Sequence, residues 1–136
     1  MNAIRVLDVV RYSRDNRPWT SELILEPTWA QLEDELLTMD SFEKPMLWLL
    51  QDAEVPDGDL LCVTGGQDVY HVQIAVPIGN WLQAVNPERS DEYIDVWTSD
   101  QGFSTQARFT WTLEPTLKMV RWYFEHGTPH PEYLWE

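Results

Sequence analysis

Between Lys44 and Trp97 the chain offers one apolar run after another, with gaps too short for a helical crossover. "KPMLWLLQ" (44–51) is a continuous apolar stretch after a proline and reads as a buried central strand. "LLCVTGG" (60–66) and "DVYHVQIAV" (68–76) flank Gly65-Gly66-Gln67 and read as the arms of a hairpin. Two more strands are expected near 80–85 and 93–98. Parallel neighbours need a connection of a dozen residues or more, so gaps this short favour antiparallel pairing. In the second hairpin arm Tyr70, Val72, Ile74 and Val76 face one way, and Val69, His71, Gln73 and Ala75 the other. His71 is expected to meet solvent or a partner.

Around this block lie two helical stretches. Trp29, Leu32, Leu36 and Met39 recur at spacings of three and four, after Thr28 as N-cap with Gln31 as its capping-box partner. Leu117, Val120 and Phe124 make a second stripe, preceded by Thr112 as a cap and ended by His126 and Gly127. Residues 4–11 alternate and read as a first strand, placed at an edge by Arg5 and Arg11; Glu22–Glu26 is either a second short strand or an approach to the helix. A strand is also expected through 106–111, and "EYLWE" suggests a short closing one. The expected architecture is one α+β domain over residues 1–136: an antiparallel sheet of about five to seven strands with two main helices packed on it.

The charge is uneven. The chain carries −14 in 136 residues: +2 in residues 1–20, −11 in 21–70, where Lys44 is the one base, and −5 in 71–136. Such a chain repels phosphate backbones and anionic membrane surfaces, and suits a basic protein partner. Cys62 is the one cysteine, so no internal disulfide forms. No apolar run is long enough to span a membrane, and the opening residues lack the pattern of a signal peptide, so a reducing cytoplasm is expected.

No nucleophile elbow, phosphate loop, His-Glu-x-x-His or paired Cys-x-x-Cys is present. No catalytic residue, cofactor or metal is therefore assigned. His126 and His130 are four apart, but Gly127 and two prolines interrupt the helix that would align them. A carboxylate pair serving a small hydrolase remains an alternative, because acids abound, and so does an acidic adaptor for another basic protein. The stronger signal is aromatics beside acids: Trp97, Asp100 and Phe103 in one segment, Trp48, Asp52 and Glu54 in another. Aromatics anchor interfaces and carboxylates select Arg and Lys across them.

Two stretches carry a family resemblance: "VWTSDQGFST" (96–105) and the ending "LKMVRWYFEHGTPHPEYLWE" (117–136). With "KPMLWLLQ" and "TGGQDVYHVQIAV" before them, residues 28–136 resemble the first-numbered immunity family of bacterial polymorphic-toxin systems. The resemblance implies a cytoplasmic, tryptophan-rich protein that plugs the active site of a cognate toxin, often a nucleic-acid deaminase. Trp97, Asp100, Gly102 and Phe103 match its motif, and Trp135 resembles a structural anchor. The expected toxin-binding residues lie in two acidic segments, Asp52, Glu54, Asp57 and Asp59 in one, and Asp91, Glu92 and Asp100 in the other with Trp97 and Phe103. A monomer is favoured, with no direct contact to nucleic acid or membrane.

Overall fold

The computed structural model describes residues 2–12, 20–52, 59–75, 80–98 and 102–136. The elements in chain order are β1 (Val6–Arg11), β2 (Thr20–Leu25), α1 (Trp29–Leu37), β3 (Met46–Leu50), β4 (Leu60–Gly66), β5 (Val69–Ala75), β6 (Trp81–Val85), β7 (Tyr93–Trp97), β8 (Phe103–Gln106), a 3-10 turn (Ala107–Phe109), β9 (Thr110–Trp111), α2 (Leu113–His126) and β10 (Leu134–Trp135). The described residues form an eight-stranded antiparallel sheet in the order β10-β6-β5-β4-β3-β1-β2, with β9 also on β5, and a separate hairpin of β7 and β8. The fold is α+β, as expected. The main sheet has eight strands rather than five to seven, two of them, β9 and β10, only two residues long.

Both helices cover one face of the sheet. Leu7, Val9, Leu47, Leu49, Leu61, Val63, Tyr70, Val72 and Ile74 meet Leu32, Leu36, Met119, Val120, Tyr123 and Phe124 in one core. The Thr28–Gln31 capping box forms as read: the Gln31 N–H donates to Thr28 Oγ1 at 3.2 Å, and the Thr28 N–H to Gln31 Oε1 at 2.9 Å. Gly127 ends α2 in the left-handed conformation. The N-terminus of α2 is held differently: Thr112 makes no side-chain cap, and the Leu113 N–H donates to Asp68 Oδ1 from the β4–β5 turn.

Four expectations are corrected. β1 is not an edge strand; it lies between β3 and β2, and its flanking arginines sit at the strand ends, Arg5 on Glu26 and Arg11 on Glu22. The turn of the β4–β5 hairpin is Gln67-Asp68, both at positive φ, while Gly65 and Gly66 belong to β4. Gly66 is needed there for approach: a Cβ would stand 2.6–2.7 Å from the backbone of Asp40 and Ser41. The stretch 106–111 is not one strand, since the 3-10 turn at Ala107–Phe109 carries the chain from the hairpin back to β5. His71 is fully buried rather than facing solvent.

Candidate functional site

The helices leave the second face of the sheet to other cover, and strand register arranges that face in rows. Ser21, Val10, Met46, Thr64 and His71 stand opposite one another in one row; Leu23, Asp8, Trp48, Cys62, Gln73 and Gln83 in the next; Leu25, Val6, Leu50, Leu60, Ala75 and Trp81 in the third. Directly opposed residues in antiparallel strands share a face, so these rows are physical neighbours.

The β7–β8 hairpin crosses the first row as a lid. Its tip is tied down by the Thr98 N–H, which donates to the Ser41 carbonyl at 3.0 Å. Val96 approaches Gly65, where a Cβ would meet it at 3.0 Å. Trp97 packs on Tyr12 with ring centroids 5.9 Å apart, and Phe103 on His71 at 5.2 Å. Phe103 thus turns inward, half-buried, onto a buried histidine.

Below the lid is a cavity of about 120 Å³ lined by Met46, Trp48, Cys62, Thr64, His71, Gln73, Trp97 and Phe103. Beside it, sharing Met46 and Trp48, a groove of about 330 Å³ is lined by Asp8, Val10, Tyr12, Met46 and Trp48. Beyond the groove the face is apolar and open: Leu23, Leu25 and Trp81 are 60%, 68% and 43% exposed. Trp81 meets Trp48 edge-on at 6.4 Å.

The polar chemistry of the described core is concentrated here. Asp8 Oδ1, Thr64 Oγ1 and His71 Nδ1 are the buried side-chain atoms without a hydrogen-bond partner among the described residues, and all three lie on this face. Such orphaned groups cost free energy, so each calls for an explanation. His71 Nε2 lies 2.7 Å from Gln83 Oε1, an acceptor, which puts the ring proton on Nε2. Burial lowers the His71 pKa, more than the Gln83 contact raises it. Burial likewise pushes the Cys62 thiol far up, so it stays protonated. Burial also raises the Asp8 carboxyl, against a weaker opposing hydrogen bond from the Ser21 hydroxyl to Oδ2 at 3.3 Å.

Of the residues singled out from sequence, Trp48, Trp97 and Phe103 reach this face. Asp52 and Asp59 flank the β3–β4 connection just past the third row, which itself lies about 13 Å along the strands from the row under the lid. Asp91 and Glu92 are exposed in the segment entering β7, where the Glu92 carbonyl accepts from the Ala107 N–H. Glu54, Asp57 and Asp100 lie outside the described residues. Lys44, the one base of residues 21–70, is buried with its ammonium on Glu35 at 2.7 Å and on Thr38. His126 and His130 are brought together, contrary to expectation, both stacked against Trp122. Even so, among the described residues no group of three or more His, Cys, Asp or Glu is placed to hold a metal ion.

Asp8, Thr64, Gln73 and Gln83 are the site residues that sequence reading passed over. The available signal was polarity at alternate positions of otherwise apolar strands: Asp8 inside Val6–Val10, and Thr64 after Cys62. No described helix is long and apolar enough to cross a membrane. Comparison with protein-family models, with curated proteins and with solved structures found no match.

Proposed function

We propose that the chain is an immunity protein, which binds a cognate bacterial toxin in the cytoplasm and occludes its active site, the toxin being a basic, nucleic-acid-directed enzyme such as a deaminase. The observation that carries this reading is the open sheet face: exposed Leu23, Leu25 and Trp81 continue into a groove that holds the Asp8 carboxylate, on a chain of net charge −14. Apolar anchors beside an uncompensated acid are what a basic protein surface would bury. The resemblance of residues 28–136 to an immunity family supports the same reading, and a toxin that acts on nucleic acid must itself carry a basic groove.

The carboxylate-hydrolase alternative draws on the same aspartate, since a carboxyl raised by burial in a cleft is what a general acid needs. That chemistry uses two carboxylates, and Asp8 is the one carboxylate among the described residues lining the groove. Binding is the better account, whether of a toxin or, as an adaptor, of another basic protein.

The test is co-expression with the toxin encoded by the adjacent reading frame. Growth should be rescued and a stable complex should purify, with Leu23→Glu and Trp81→Glu each abolishing both. If the toxin stays lethal and no complex forms with the wild type, the reading is wrong.

A further inference from the structure

Resting on that reading, we propose that the groove between β1 and β3 is the seat for one arginine side chain of the partner, its guanidinium paired with the Asp8 carboxylate and its stem lying along Trp48, Val10 and Met46. Four observations converge on this chemistry. First, Asp8 Oδ1 is buried without a partner among the described residues, and Oδ2 has only the long contact from Ser21. A cation placed there would satisfy both oxygens.

Second, the described cations nearest in sequence are committed elsewhere: Arg5 to Glu26 at 3.2 Å, Arg11 to Glu22 at 3.0 Å. Third, the walls are aromatic and apolar. Trp48 stands opposite Asp8 and Tyr12 lines the same groove, the setting in which a flat, weakly hydrated guanidinium gains from stacking while a strongly hydrated ammonium loses more water than it regains. Fourth, about 330 Å³ is room enough to admit one long side chain. The burial that raises the Asp8 carboxyl would be offset on binding, so the bound state holds the carboxylate ionised.

The probe is N-acetyl-arginine methylamide, with its uncharged citrulline counterpart as control, titrated into the purified protein while the Trp48 indole N–H is followed by NMR. The arginine probe should give a saturable shift at Trp48. The citrulline probe, and the arginine probe on Asp8→Asn, should bind at least about ten-fold more weakly. Equal response to the two probes on the wild type, or no saturable shift at Trp48, overturns the proposal even if Asp8→Asn fails to fold. Arg14 and Arg17 lie outside the described residues. Should a shift emerge only in the Arg14→Gln, Arg17→Gln double variant, the groove belongs to the chain's own arginines and the proposal falls. No toxin is present in the titration, so its failure is separable from a failure of toxin rescue.

Discussion

Replacing Asp8 with asparagine should stabilise the fold at neutral pH while weakening the partner. Asparagine keeps an oxygen for the Ser21 hydroxyl and removes the charge that burial opposes. A buried polar group without a partner costs about 1–3 kcal/mol and more when it is charged, so the neutral amide, whose NH2 is itself left unpartnered, costs less there than the carboxylate. Asp8 is only half-buried and borders an open groove, so solvent screening brings the expected gain to the low end, about 1 kcal/mol, or a rise of about 3 °C in Tm for a chain of this size. The pH dependence has a definite sign. The Asp8 carboxyl is raised in the fold above its ordinary 3.8. Below that ordinary value the group is protonated in folded and unfolded chains alike, and its full contribution is present. The contribution is lost as pH rises through the folded-state value. The gap between variant and wild type should therefore vanish in acid and be complete at neutral pH. Urea unfolding of both proteins across that range measures it, and taking the difference cancels the chain's other acids. A variant less stable than the wild type at neutral pH, or a gap that persists unchanged in acid, would refute the reasoning.

Other outcomes follow from the same face. The His71 ring, neutral beneath Phe103, should resist protonation below its ordinary 6.5, so its contribution to stability is present above that value and lost as pH falls through it toward the folded-state pKa; the ring's NMR titration reads this directly. Phe103→Ala should move the His71 titration back toward 6.5 and cost about 2 kcal/mol, roughly half the cost for a fully buried phenylalanine. Gly66→Ala forces a Cβ onto the Asp40–Ser41 backbone at a φ of +146° and should cost about 3 kcal/mol in denaturant unfolding; a loss under about 1 kcal/mol would mean that the 39–41 segment yields. Lysines at Asp57 and Asp59 together should slow toxin association and flatten its salt dependence if the β3–β4 acids steer encounter, whereas an unchanged on-rate removes them from the interface.

Much of the scaffold was legible because it is local. The helix stripes at Trp29–Met39 and Leu117–Phe124, the cap at Thr28, the Gly127 stop and the two faces of β5 each follow from spacing within one element. The misreadings share a cause in contacts from far along the chain. Gly65 and Gly66 look like a turn until the 39–41 segment and Val96 are seen against them. Arg5 and Arg11 look like edge charges until Glu26 and Glu22 are found beside them. His71 looks like an outward polar residue until the hairpin lies over it.

The sequence by itself determined an antiparallel α+β protein, acidic and rich in tryptophan, because periodicity, turn length and net charge are properties of short stretches or of composition. Only the tertiary structure decided which side chains share the open face of the sheet. Setting β1 against β3 and β2 puts Asp8 between Trp48 and Leu23, and folding the β7–β8 hairpin over one end closes the cavity at His71 and leaves the groove open at Asp8. Cross-strand adjacency depends on strand order and register, which link residues as distant as Asp8 and Gln83 into one row, and no pattern within a single strand encodes that order.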